Sequence, residues 1–104
     1  MTILIVDDHA ELRAELAKLF RAAGWTAWPV GSLTEARMFL GMEPDVILTD
    51  RRLPDGDGAA LVGVAPVVIY SADDSRVEGA LAVIRKPAAA LVRRVGEALD
   101  VEVE

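Results

Sequence analysis

Short apolar runs rich in β-branched residues alternate along this chain with helical patterns, and no other feature restricts the fold as strongly. Residues 3–6 (ILIV) are an unbroken apolar run, as expected for a strand buried on both faces. Asp8 can cap the helix that follows, whose Leu12, Leu16, Leu19 and Phe20 fall on one face and which Gly24 stops. Residues 25–30 read as a second strand, which Pro29 confines to an edge. Ser32 and Glu35 form a capping-box pattern that opens a helix to about Leu40, ended by Gly41. Residues 46–49, 67–70 and 81–84 are the third, fourth and fifth strands. Pro87 then opens a last helix with Leu91, Val92, Val95 and Leu99 inward. Strands alternating with helices define βαβ units, so an α/β fold is expected, with a mostly parallel sheet covered on both faces.

At 104 residues the chain is one domain, without repeats or a linker. It is 53% hydrophobic, enough for a core, but aromatics are few and aliphatic residues must fill it. Without cysteine, neither disulfides nor thiolate metal sites can form, which suits a reducing cytosol. A net charge of −6 argues against nucleic acid as a direct partner, because phosphates repel it. Residues 3–6 are too short for a signal peptide's core, and no apolar stretch approaches a membrane span. A soluble cytoplasmic domain is expected.

In a parallel sheet the binding crevice lies at the carboxyl ends of the strands, where the strand order reverses. Asp7 and Asp8 follow the first strand, Asp50 the third, Ser71 the fourth and Lys86 the fifth. Carboxylates about 4 Å apart repel by roughly 4 kcal/mol at an effective dielectric near 20. They need a cation, and oxygen-only ligands suit Mg²⁺. Acids, a metal, a lysine and a hydroxyl together suit phosphoryl chemistry, in which a carboxylate can itself be the nucleophile and form an acyl phosphate.

The segments "ILIVDDHAELR", "PDVILTDRRLPDGDG", "VVIYSA" and "IRKP" resemble the acidic pair, phosphoacceptor block, hydroxyl position and Lys-Pro of two-component response-regulator receiver domains. The resemblance runs from Thr2 to about Leu99. It implies a single receiver domain over residues 1–104, with 101–104 as a tail, built as a doubly wound five-stranded parallel sheet of flavodoxin-like order 2-1-3-4-5. It further implies Asp50 as phosphoacceptor, and Asp7, Asp8 and Asp50 as metal-binding acids, with Asp8 a direct ligand. The backbone carbonyl of Arg52 would complete the protein's share of the metal shell. Ser71 and Lys86 would each bind a phosphoryl oxygen. Mg²⁺ is the implied cofactor, and a histidine kinase or histidine phosphotransfer protein the implied partner. In this family the Lys-Pro bond is often cis, and the side chain at Arg52 tunes hydrolysis of the phosphoaspartate.

Other motifs take plainer readings. His9, the only histidine, reads as a surface residue, and "DGDGAA" lacks the later ligands of a calcium loop, so it reads as a turn into a helix. Trp25 and Trp28 read as packing and edge residues, and Arg93-Arg94 as a solvated helix face.

Two departures from the family matter. The spans 46–70 and 67–84 are shorter than the roughly thirty residues of a βαβ unit. Residues 71–80 barely reach the ten to twelve or so that a crossover takes. The third helix is therefore expected to have about one or two turns, and the fourth to be vestigial. The second departure is Val83, which stands where the family usually has an aromatic switch residue. The phosphorylation chemistry is thus expected intact and the usual readout lost, leaving a phosphorelay shuttle, a phosphate sink, or signalling through the first helix or the site loops. Such a domain modifies itself without being a turnover enzyme. The alternative is a pseudo-receiver acting as a constitutive interaction module. A haloacid-dehalogenase-type phosphatase would need a second acid where Arg52 stands. No effector segment is expected after residues 101–104.

Overall fold

The computed structural model describes residues 1–99, so the expected tail at 101–104 lies outside the described residues. In chain order the elements are β1 (Thr2–Val6), α1 (Ala10–Ala22), β2 (Thr26–Val30), α2 (Leu33–Met38), β3 (Val46–Thr49), β4 (Arg52–Leu53), β5 (Gly56–Asp57), β6 (Val67–Ser71), β7 (Ala82–Arg85) and α3 (Leu91–Ala98). Two 3-10 turns, Leu40–Met42 and Gly58–Leu61, complete them. The central sheet is five-stranded and parallel, in the order β2-β1-β3-β6-β7, while β4 and β5 form a separate antiparallel hairpin. Passing over that hairpin, this is the expected order 2-1-3-4-5. The order reverses between β1 and β3, so the crevice opens where Val6 and Thr49 end their paired strands.

Side chains alternate between two apolar layers, as a sheet covered on both faces requires. Ile3, Ile5, Leu48, Val68, Tyr70 and Ile84 point to one side and pack with Leu16, Phe20, Leu91 and Val95 of α1 and α3. Leu4, Val6, Ile47, Val67 and Ile69 point to the other and meet Leu33, Ala36 and Leu61. Burying each such aliphatic side chain contributes about 1.5–3 kcal/mol. Trp25 packs edge-on to Phe20 and Trp28 lies against Phe39, as their packing roles require. Pro29 occupies the edge strand β2, where its missing N–H costs no ladder bond.

Several expectations are corrected. Asp8 does not cap α1. His9 does, its Nδ1 accepting the Leu12 N–H at 3.2 Å, and the exposed ring is otherwise a surface group. Leu19 is 47% exposed, because Leu16, Ala17 and Phe20 define the buried stripe of α1 without it. Gly41 lies within a 3-10 turn, and the left-handed residue that ends it is Glu43. The shortening expected of the third and fourth helices is met: the third is the 3-10 turn Gly58–Leu61, and residues 72–81 form no helix. With so few residues to span β6 to β7, the chain covers that face with Val77 and Ala80 instead.

Pro87 does not open the last helix. Residues 87–90 form a connector, and α3 starts at Leu91 after Ala90, whose φ of 54° lies in the left-handed region. An alanine pays there for its Cβ, since that conformation costs an L-residue roughly 1–2 kcal/mol. Ala90→Gly is expected to raise stability by about 0.5–1 kcal/mol in urea unfolding, with an unchanged m-value.

Candidate functional site

The alternation of each strand carries past its last residue. Asp7 continues the side of Ile5, Asp50 that of Leu48, and Lys86 that of Ile84, so all three emerge from the layer under α1 and α3. Asp7 is only 2% exposed, and both of its carboxylate oxygens are engaged. The His9 N–H donates to Oδ1 at 2.9 Å, and Lys86 Nζ donates to Oδ2 at 2.5 Å. The same ammonium donates to Asp50 Oδ2 at 2.7 Å, while the Arg52 N–H reaches Asp50 Oδ1 at 3.4 Å. Asp8 is exposed, and carboxylate oxygens of Asp7, Asp8 and Asp50 lie within 4.8 Å of one another. Ser71 is buried at the tip of β6, its Oγ accepting the Asp73 N–H at 3.3 Å. The sequence-predicted residues Asp7, Asp8, Asp50 and Lys86 are therefore brought together, with Ser71 and Arg52 flanking Asp50.

Asp50 and Lys86 form the ridge between two cavities. One, of about 500 Å³, is lined by Asp7, Asp8, His9, Glu11 and Leu12 among others. The other, of about 410 Å³, is lined by Arg52, Ser71, Ala72 and Asp73. Partial burial pushes the Asp50 carboxyl upward, but the hydrogen bond from Lys86, the Ser71 hydroxyl and the lysine's charge together hold it below its ordinary value. Burial likewise pushes Lys86 down, and hydrogen bonds to Asp50 and Asp7 outweigh it and raise the ammonium's pKa. Both groups are thus charged at neutral pH. The Lys86–Pro87 peptide bond is cis, as the family resemblance implies.

Three supports of this site were not read from the sequence. The first is Gly58. A Cβ there would lie 1.9 Å from the Asp50 carbonyl oxygen and 2.5 Å from Thr49 Oγ1, the hydroxyl that donates to that carbonyl at 2.8 Å. The Gly58 N–H also donates to the Arg51 carbonyl at 2.8 Å, so the hairpin folds back directly onto the backbone of Asp50. The second is Asp55, whose carboxylate accepts the Leu33 and Thr34 N–H groups, each at 2.9 Å, and the Thr34 hydroxyl at 2.7 Å. It staples the hairpin tip to the start of α2, beside the Ser32 cap. The third is Arg51, which pairs with Asp57 at 2.9 Å and Asp73 at 3.7 Å, joining the β4–β5 hairpin to the loop after β6. Both partners are well exposed, so these pairs fix geometry more than they stabilise. Of the three, only Gly58 and Asp55 left a trace, in a "DGDG" string that reads simply as a turn.

The pattern of the response regulator receiver domain matches residues 3–92. The chain belongs to that family, and its members are signalling modules of two-component and phosphorelay systems rather than turnover enzymes. Among solved structures, the receiver domain of the hybrid histidine kinase CckA is 27% identical, with 95% of this chain and 99% of that one covered and a TM-score of 0.81. The N-terminal domain of a response regulator/sensory box/GGDEF 3-domain protein from Carboxydothermus hydrogenoformans is 26% identical over 96% of this chain and 94% of its own, with a TM-score of 0.82. The non-phosphorylated HemR receiver domain from Leptospira biflexa, at 22% identity, covers 99% of this chain and 97% of its own and shares the fold at a TM-score of 0.84. No curated protein gives a significant match. Receiver domains bind Mg²⁺ at an acidic cluster, and Asp7, Asp8 and Asp50 form a group able to hold a metal here.

Two outcomes are expected. Gly58→Ala forces either the hairpin or the Asp50 carbonyl to move, and unfolding measurements should register a loss of about 3 kcal/mol. For Asp55, the Thr34 hydroxyl and then the two backbone N–H groups lower the carboxyl from 3.8 to about 2. A depressed folded-state pKa gives stabilisation that is complete above the unfolded value and lost as pH falls through the folded one. The Leu33 and Thr34 amide resonances should therefore titrate together near pH 2, and this transition should vanish in Asp55→Asn.

Proposed function

We propose that this domain accepts a phosphoryl group onto Asp50 from the phosphohistidine of a histidine kinase or histidine phosphotransfer protein, with Mg²⁺ as cofactor. The observation that carries this reading is the convergence of three carboxylates within 4.8 Å of one another, two of them bridged by one ammonium. Like charges so close, offering only oxygen, fit a hard divalent cation. Asp7, Asp8 and Asp50, with the backbone carbonyl of Arg52, would hold it. When bound, Mg²⁺ neutralises charge on the oxygens of the transferring group.

The protein's own groups do the rest. Asp50 is ionised, so an oxygen of its carboxylate attacks phosphorus without a general base. The new P–O bond forms as the P–N bond of phosphohistidine breaks, and the bonding electrons leave with the imidazole nitrogen. Lys86, already in contact with Asp50, pairs with a phosphoryl oxygen. The Ser71 hydroxyl accepts from Asp73 N–H and turns its own proton, directed at Asp50 before transfer, to a second phosphoryl oxygen. Arg52 flanks the same cavity and tunes how water reaches the acyl phosphate.

Each domain takes one phosphoryl group, so the role is signalling rather than turnover. Residues 72–81 hold no helix and Val83 no ring, which favours a phosphorelay shuttle or phosphate sink over a switch read from that face. A cytoplasmic setting and a partner other than nucleic acid go with this reading, the net charge of −6 supporting the latter. Among the described residues no helix is long and apolar enough to cross a membrane.

Intact mass after incubation with Mg²⁺ and a small acyl phosphate tests the proposal. A phosphate adduct on the wild type, absent from Asp50→Asn and lost without Mg²⁺, is expected. No adduct on either protein, with Mg²⁺ binding demonstrated separately, would leave a constitutive interaction module.

A further inference from the structure

The register of the sheet brings an aromatic ring to the site from a strand that supplies its hydroxyl on the opposite face. Val6 pairs with Thr49 and Thr49 with Ile69, so the next row reads Asp7, Asp50, Tyr70, all on the side of α1 and α3. Tyr70 also pairs with Ile84, which puts Lys86 two residues further along β7's direction on that same side. To reach Asp50 and Asp7 the lysine must cross above Tyr70. It does so with Nζ 5.5 Å from the ring centroid, inside the range of cation–π attraction. The tyrosine hydroxyl accepts the Ala88 N–H at 3.2 Å, fixing the backbone just past Pro87. Tyr70 is buried and Lys86 partly so, which shields both contacts in part from bulk water.

We propose that Tyr70 is the positioning residue for Lys86: its ring is the platform that carries the ammonium over Asp50, and its hydroxyl anchors the backbone from which the lysine extends. The consequence rests on the phosphoacceptor reading given above. Asp7 and Asp50 are also the carboxylates assigned to the cation. When their oxygens are engaged there, the ring is the contact that still holds Lys86 in place for a phosphoryl oxygen. A tyrosine that merely filled the core would do nothing to the lysine.

The Lys86 side-chain methylene resonances test this directly, because an ammonium held over an aromatic face brings its neighbouring CH₂ under the ring current. Upfield-shifted Lys86 CεH₂ signals are expected in the unphosphorylated wild type. Tyr70→Phe, which keeps the ring, should retain the shift, and Tyr70→Leu should move it to the free-lysine position. In Mg²⁺ with a small acyl phosphate, adduct formation should slow about tenfold in Tyr70→Leu and stay within about threefold of wild type in Tyr70→Phe. Unshifted wild-type resonances would overturn the proposal without any variant, even if Tyr70→Leu failed to fold. An unchanged rate in a folded Tyr70→Leu would also overturn it. If the wild type forms no adduct, the phosphoacceptor reading fails while the resonances still decide whether Tyr70 holds Lys86.

Discussion

Asp7 is a buried carboxylate facing two further acids, and its charge is tolerable only because Lys86 reaches it at 2.5 Å. An unpaired ion at that depth costs several kcal/mol, more than a domain of this size can spare. The need for that one ammonium dictates much else. β7 must dock at the far side of β6, and α3 must close over Ile84 so that Lys86 projects back across two strands. Apolar alternation aims the acids and the lysine from the same layer, so one hydrophobic pattern both fills the core and assembles the charged centre. A buried ion pair is weak evidence of stabilisation. Here its worth lies in holding oppositely charged groups in a fixed relation at the mouth of the crevice.

The loop beyond Asp50 shows how a short chain holds an acid still. Where a full helix would anchor the third crossover, this domain has a four-residue 3-10 turn. Gly58 packs the returning strand onto the Asp50 carbonyl, Asp55 fastens the hairpin tip to α2, and Arg51 ties the base to the loop after β6. Polar contacts between neighbouring segments thus replace the apolar packing that the missing turns would have supplied.

Much of this was legible in the sequence. Unbroken runs such as ILIV and VILT read as strands buried on both sides, and their alternation with helical patterns pointed to a parallel α/β sheet, while the strand order itself was implied by the family resemblance. The site followed, because Asp7, Asp8, Asp50, Ser71 and Lys86 each stand one or two residues past an apolar run. What stayed hidden has definite physical causes. Local hydrogen bonding rather than residue type decided the cap of α1, where Asp7 turns to the His9 N–H and leaves the histidine to cap. The start of α3 depended on Ala90 adopting a left-handed conformation, which alanine's propensity argues against. Tyr70 read as an ordinary strand residue, since its row mates come from strands 20 and more positions away in the chain and only the register brings them level.

The ammonium and the acid it neutralises are 79 residues apart in sequence, nearly the whole described chain. Without β7, the elements from β1 to β6 would display clustered acids and lack the Lys86 ammonium. Their repulsion works against every partly folded form that lacks the last strand. Within the chain, Lys86 arrives with β7 to relieve it. The charged centre therefore ties the two ends of the described chain together, since the acids of the first half are matched by a cation that only the last strand supplies.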